Sequence, residues 1–182
     1  GPGHVPLDEI EGNIMLEKRM SGGAPYYVLG PLPADTGAGY DHVVAAVGAA
    51  QSARYGADLV CYITPAEHLA LPNEHDVREG VRVAKTAVHI GDLAKHPQGR
   101  EREKQASLAR RDSRWGDLGS YLLFPEVARK IREDRLPQCQ DTCTMCGDFC
   151  AMKKGMEIFH QDIVEEKQES KAAQGTPGIM AG

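Results

Sequence analysis

Two apolar stretches with the length of buried strands are each followed by a helical pattern, and this alternation limits the fold more than any other feature. The stretches cover residues 24–30 and 57–64. A helix rich in Ala and Val is predicted from Asp41, and a long helix capped by Asn73 follows the second stretch. This β-α-β-α order predicts parallel strands with right-handed crossovers, and functional residues are expected where the strands end.

Two strands alone cannot close a barrel, and an open parallel pair leaves its edges and faces exposed to water. We therefore expect further strands to precede residue 1. The chain is interpreted as α/β, the C-terminal part of a (β/α) barrel followed by a helical, cysteine-bearing extension. The predicted divisions are 1–98 for the barrel part, 99–164 for the extension and 165–182 for a disordered tail of low apolar content.

Composition narrows the class of protein. A chain of 182 residues with 41% hydrophobic residues has the length and apolar content of about one soluble domain. Its formal charge of -5 argues against a nucleic-acid partner, and it has no apolar run long enough to cross a membrane. Five cysteines are an odd number, and no secretory segment opens the chain. We expect reduced thiols and a cytoplasmic location.

A cluster of cysteines near the end of the chain is the strongest chemical signal. Cys143, Cys146 and Cys150 place three thiols within eight residues, and Cys139 lies just upstream. Thiolates at such spacing can surround one soft metal centre. A zinc knuckle or a closed cluster would use all four thiols, whereas a cubane held by three leaves one iron free to bind a substrate. The spacing alone leaves these alternatives open.

Six motifs follow one another along the chain. They are Gly1-Pro-Gly-His4-Val-Pro, Ala24-Pro-Tyr-Tyr27-Val-Leu-Gly-Pro-Leu32, Gly39-Tyr-Asp-His42, Tyr62-Ile-Thr-Pro-Ala-Glu-His68-Leu, Asp76-Val-Arg-Glu-Gly80 and the cysteine set. In this order they resemble the phosphomethylpyrimidine synthase family, from residue 1 to about residue 159. The resemblance implies a radical S-adenosylmethionine (SAM) enzyme, a carbon-carbon lyase, built on a (β/α)8 barrel. Its substrate would be 5-aminoimidazole ribotide.

The resemblance also implies how the cysteines are used. Cys143, Cys146 and Cys150 would hold a [4Fe-4S] cluster whose open iron binds SAM, and Cys139 would not be a ligand. An electron donor such as flavodoxin or ferredoxin would reduce the cluster, which would cleave SAM to a 5'-deoxyadenosyl radical. A homodimer is implied in which the cluster-bearing extension reaches the partner's barrel.

Three further site residues are implied by the same resemblance. His4 and His68 match the family's metal-binding histidines, with Zn2+ or another divalent metal as the ion. Imidazole suits this ion, and placement at strand ends would bring both rings into one mouth. Tyr27 matches a tyrosine that contacts substrate. Glu67 is a candidate partner that orients a ligand histidine, a hypothesis that rests only on its adjacency to His68.

The product is the least determined feature. The loop at residues 35–42 and the cysteine spacing depart from the usual family pattern, and these departures concern the fate of the substrate. The favoured function is synthesis of the thiamine pyrimidine, 4-amino-5-hydroxymethyl-2-methylpyrimidine phosphate. The alternative is 5-hydroxybenzimidazole synthase, a paralogue that makes a cobamide lower-ligand precursor from the same ribotide. A second alternative is a metal-binding fragment without activity.

Overall fold

The two predicted strands pair with each other in parallel. In the computed structural model, which describes residues 3–135 and 144–159, β1 comprises Tyr27–Leu29 and β2 comprises Leu59–Cys61. The register places the first residues of the two strands opposite each other, and likewise their last residues. A parallel bridge between His4 and Leu32 brings a third segment of the chain alongside. Each strand has three residues, fewer than the sequence predicts.

The predicted α/β class is confirmed in a mostly helical form. The described residues contain one two-stranded sheet, so a (β/α)8 barrel is not seen in them. Two compact units make up the chain, Gly1–Lys104 and Gln105–Gly182. The predicted divisions after residues 98 and 164 stay predictions, and the predicted tail at 165–182 lies outside the described residues. Within the described ranges, no helix combines the length and apolar character needed to span a membrane.

Helices make up most of the described chain. They are α1 Ile10–Met20, α2 Asp41–Tyr55, α3 Glu74–Lys95, α4 Pro97–Arg111, α5 Trp115–Leu118, α6 Pro125–Glu133 and α7 at residues 151–159. Asn73 caps α3 as predicted: its side-chain oxygen accepts a hydrogen bond from the backbone N–H of Asp76, and the Asp76 carboxylate accepts one from the backbone N–H of Asn73. Gly56 ends α2 with a φ of 126°, which a glycine adopts without strain.

One face of the sheet packs against helices. Val28, the middle residue of β1, is fully buried and belongs to a cluster with Ile10 and Ile14 of α1. A second cluster joins Ala45 of α2 to Ile63, just after β2. Because successive strand residues point to opposite faces, the residues on either side of Val28 lie on the other face. Burial of Val28 therefore fixes which face of the sheet carries Tyr27.

Close approach of the helices to the strand ends depends on glycine. A Cβ atom at Gly48 of α2 would lie 2.0 Å from the backbone oxygen of Pro31, and one at Gly80 of α3 would lie 2.4 Å from that of Ile63. Neither distance is possible for a real side chain. A larger residue at either position would force the helix away from the strand end beneath it.

Lys18 and Asp58 hold the beginnings of the two strands in place. The Asp58 carboxylate accepts hydrogen bonds from the Lys18 ammonium and the Tyr26 backbone N–H, both at 2.7 Å. Lys18 also donates to the carbonyl oxygen of Ala24 at 2.8 Å. The bond from Lys18, followed by that from Tyr26, holds the pKa of Asp58 below its ordinary value of 3.8. The network thus favours the ionised carboxylate in the folded state.

In the second unit, α5 and α6 are joined by a cation-aromatic contact. The guanidinium of Arg132 lies 4.4 Å from the centre of the Trp115 ring. Leu118 of α5 is buried, and Ala109 of α4 is fully buried.

The glycine contacts predict opposite effects of one substitution at two positions. Gly48→Ala should destabilise the protein by about 2 kcal/mol, because the new methyl group overlaps the Pro31 carbonyl. Gly12→Ala is the matched control in α1, where an added Cβ meets nothing within 4 Å. It should stabilise the protein by about 0.8 kcal/mol through helix propensity. Chemical denaturation measures both values, and equal effects would contradict the packing described for α2.

Candidate metal centre

His4 is held in place by backbone hydrogen bonds on both sides of it. The Val5 N–H donates to the Leu32 oxygen at 3.2 Å, and the Leu32 N–H donates to the Gly3 oxygen at 2.6 Å. Val5 and Leu32 are buried, whereas half of the His4 side chain is exposed. The buried neighbours therefore fix the backbone while the imidazole ring remains accessible.

His68 lies in a turn that follows β2. The turn is closed by hydrogen bonds from the Glu67 N–H to the Thr64 oxygen at 3.2 Å and from the Leu69 N–H to the Ala66 oxygen at 2.9 Å. His68 has a φ of 58°, in the left-handed region. A residue with a Cβ atom pays roughly 1–2 kcal/mol for this conformation. The conformation of the turn determines the direction in which the ring projects.

The structure brings the His4 and His68 rings together. Their centroids are 5.5 Å apart and their planes differ by 27°. Two imidazoles bound to one tetrahedral zinc, with Zn–N distances of about 2.0–2.1 Å, have ring centres roughly 5 Å apart. The pair therefore has the donor chemistry and approximate spacing of two ligands of one ion. Their roles as ligands remain predictions.

Asp35, a residue that the sequence analysis did not single out, contacts one of these rings. Its Oδ1 atom lies 2.5 Å from Nδ1 of His4. The two residues are 31 positions apart in sequence. The only sequence signal for this pair was the start of the divergent loop at residue 35. Within the residues that the structure describes, no group of three or more His, Cys, Asp or Glu side chains is arranged to hold a metal ion.

Tyr27 lies at the first residue of β1, on the face opposite Val28. Its side chain is half exposed. A hydrogen bond with the Cys61 side chain raises the pKa of the Tyr27 hydroxyl above its ordinary value of 10.0, and partial desolvation adds to the effect. Cys61 was also missed by the sequence analysis, because its contact with Tyr27 depends on strand register. The shift favours the protonated hydroxyl, which can donate a hydrogen bond.

Two of the predicted cluster cysteines are described, and their thiols are free. Cys146 is exposed and Cys150 is partly buried. A 3-10 turn, Gly147–Phe149, separates them, and the Phe149 N–H donates to the Cys146 oxygen at 3.0 Å. Cys150 immediately precedes α7. Cys139 and Cys143 lie outside the described residues.

Comparison with known proteins identifies the family. The model of the radical SAM ThiC family matches residues 1–157. The chain therefore belongs to this family, as the sequence motifs predicted. The family's description implies SAM and an iron-sulfur cluster as cofactors of the family's chemistry.

Individual relatives carry two different names. The chain is 71% identical, over 92% of its length, to 5-hydroxybenzimidazole synthase of Desulforapulum autotrophicum. It is 62% identical over the same share to the enzyme of that name from Geobacter metallireducens. Phosphomethylpyrimidine synthase 2 of Methanosarcina mazei is 54% identical over 84% of the chain. These alignments cover 38%, 39% and 36% of the three relatives.

The chain thus spans a little over a third of the length of the relatives that it matches. The matches do not support the expected placement at the C-terminal end of these proteins. They do support the two family functions considered from the sequence. Because relatives carry both names, family membership alone does not choose between those functions.

The left-handed backbone at His68 predicts a gain in folding stability when this residue is replaced by glycine. His68→Gly should stabilise the metal-free protein by roughly 0.5–1 kcal/mol, because glycine adopts a φ of 58° without strain. His68→Ala is the matched control, since it removes the same ring but keeps the strained backbone. Chemical denaturation without metal distinguishes the two variants. Equal stabilities would show that the turn is not strained.

Proposed function

We propose that this chain is part of an enzyme that converts 5-aminoimidazole ribotide to 5-hydroxybenzimidazole by SAM-dependent radical chemistry. The observation that carries this proposal is the higher identity to relatives named 5-hydroxybenzimidazole synthase. One such relative is 71% identical over 167 residues, whereas a phosphomethylpyrimidine synthase is 54% identical over 154 residues. The comparisons thus favour the alternative weighed from the sequence over the thiamine function favoured there.

Synthesis of the thiamine pyrimidine is the second candidate. It is supported by the 54% identity to the Methanosarcina mazei protein and by membership of the same family. Both candidates start from the same ribotide, so they differ in how the pocket directs the intermediates. The carbon-carbon lyase class is proposed for either product.

The histidine pair is proposed to hold zinc or another divalent cation. His4 and His68 would each offer one ring nitrogen, which leaves coordination positions for a substrate or SAM. A cation bound there would supply positive charge that orients and polarises an oxygen or nitrogen of the bound molecule. His4 and His68 lie near the carboxyl ends of the parallel strands, which is where the sites of (β/α) barrels form.

Tyr27 is proposed to position the substrate by a hydrogen bond. The tyrosine hydroxyl carries its hydrogen at neutral pH and can donate it to a substrate atom. Leu29 and Leu59 share its face of the sheet and are 44% and 60% exposed. In a complete barrel this face would line the interior, and its apolar side chains would keep water away from the radical chemistry.

Cys143, Cys146 and Cys150 are proposed to hold the cluster. The free thiols of Cys146 and Cys150, one turn apart, fit this role. A cluster held there would supply the electron for reductive cleavage of SAM. Flavodoxin or ferredoxin is the proposed reductant, and a homodimer with exchanged cluster extensions is the proposed assembly.

Product analysis tests the proposed function. The full-length protein is incubated without oxygen with 5-aminoimidazole ribotide, SAM and a reductant, and the products are separated by fluorescence-detected chromatography and mass spectrometry. We expect a fluorescent benzimidazole. A hydroxymethylpyrimidine phosphate would instead establish the second candidate. If neither product forms while the cluster is intact, the remaining possibility is a metal-binding protein without this activity.

Cluster assembly tests the cysteine assignment independently of the product. After anaerobic reconstitution, iron and sulfide are measured in Cys143→Ala, Cys146→Ala and Cys150→Ala. We expect each variant to lose the cluster, because three thiolates already leave one iron without a protein ligand. Cys139→Ala is the matched control and should retain it. Loss of the cluster in Cys139→Ala would identify a closed, four-cysteine site.

A further inference from the structure

We propose that Asp35 is a positioning residue for His4. Its carboxylate holds the imidazole in the form that carries hydrogen on Nδ1, and this leaves Nε2 available to a cation shared with His68. The inference rests on the proposed metal site and adds to it a residue that no sequence motif indicated. It concerns the orientation and tautomer of one ring, both of which can be observed without a metal.

The hydrogen bond determines the tautomer. A carboxylate at neutral pH has only acceptor atoms, so at 2.5 Å from Asp35 Oδ1 the Nδ1 of His4 must be the donor. A neutral imidazole carries one hydrogen, so its lone pair is then on Nε2. A metal binds the nitrogen that has the lone pair. Carboxylate-histidine pairs orient metal ligands in this way in many proteins.

The fold places this carboxylate beside His4 through the backbone. His4 and Leu32 are bridge partners, held by two backbone hydrogen bonds, and Asp35 follows Leu32 by three residues. Val5 and Leu32 are 5% and 4% exposed, so the bridge is anchored in the core. The approach of Asp35 to His4 is therefore a consequence of parallel pairing, and it does not depend on a metal.

Two other roles for Asp35 fit the contact less well. The side chains of His4 and Asp35 are 52% and 78% exposed, and an ion pair this open to water adds little to folding stability. A role as third metal ligand is disfavoured because the carboxylate contacts Nδ1, whereas a shared metal would lie at Nε2. In the part of the chain that the structure describes, these residues do not form a three-ligand group.

The hypothesis that Glu67 orients a ligand histidine provides a matched control. Glu67 adjoins His68 in sequence, whereas the carboxylate found at a ring nitrogen of His4 is that of Asp35. Glu67→Gln changes a nearby carboxylate to an amide without touching Asp35. A general effect of negative charge near the site would appear both in Glu67→Gln and in the variants of Asp35. An effect of ring orientation would appear only in the variants of Asp35.

The first readout is the tautomer of His4 in the metal-free full-length protein. Long-range proton-nitrogen NMR distinguishes the two ring nitrogens, and His4→Gln assigns the signals. We expect hydrogen on Nδ1 in the wild type and in Glu67→Gln. In Asp35→Ala the Nε2-protonated form should predominate. An unchanged tautomer in Asp35→Ala would overturn the proposal.

The second readout is affinity for zinc alone, measured by competition with a chromogenic chelator. Asp35→Ala should weaken binding about tenfold, at the lower end of the range for partners of metal ligands because the pair is exposed. Asp35→Asn keeps an acceptor oxygen and should weaken binding less. Glu67→Gln should bind as the wild type does. Affinities of Asp35→Ala and wild type within twofold of each other would count against the proposal.

The results also separate this inference from the proposed metal site. If His68→Ala binds zinc as tightly as the wild type does, the proposed metal site is wrong. The tautomer of His4 then still decides whether Asp35 orients this ring. If Asp35→Ala loses zinc as completely as His4→Ala, Asp35 is a ligand and the positioning role is overturned. The unfolding transitions of Asp35→Asn and Asp35→Ala are the control for folding. If they match that of the wild type, the substitutions have changed the site and not the stability of the fold.

Discussion

Parallel pairing of three chain segments is the constraint on which the candidate site depends. Because β1 and β2 run in the same direction, their carboxyl ends lie at the same edge of the sheet. The bridge from His4 to Leu32 adds a segment with the same direction. Residues that are far apart in sequence, His4 and His68, thereby reach one location. Antiparallel pairing would have put the residues that follow successive strands at opposite edges.

The two faces of the sheet have different environments, and this difference separates stability from function. Val28 packs against α1 and supports the fold, whereas Tyr27 on the opposite face stays accessible and contacts Cys61. The glycine contacts at Gly48 and Gly80 bring α2 and α3 onto the backbone at the strand ends. Rigid packing below the site allows exposed side chains above it to keep fixed positions.

Family membership does not by itself determine the product. The model of the radical SAM ThiC family matches residues 1–157, and relatives with either name match most of this chain. Product choice depends on how a pocket guides reactive intermediates, which small changes in loops can alter. The divergent loop at residues 35–42 begins with the carboxylate that contacts His4. A change in this loop therefore reaches the proposed metal ligand directly.

The amino-acid sequence by itself determined the order of strands and helices, the cap at Asn73 and the spacing of the cysteines. The motifs in the sequence identified the family. These features are encoded in short runs of residues, through apolar periodicity and capping chemistry. Tertiary structure alone decided that Asp35 meets His4, that Cys61 meets Tyr27 and that Gly48 must lack a side chain. Those contacts join segments that become neighbours only when strands pair and helices pack, and no local periodicity records which segments will do so.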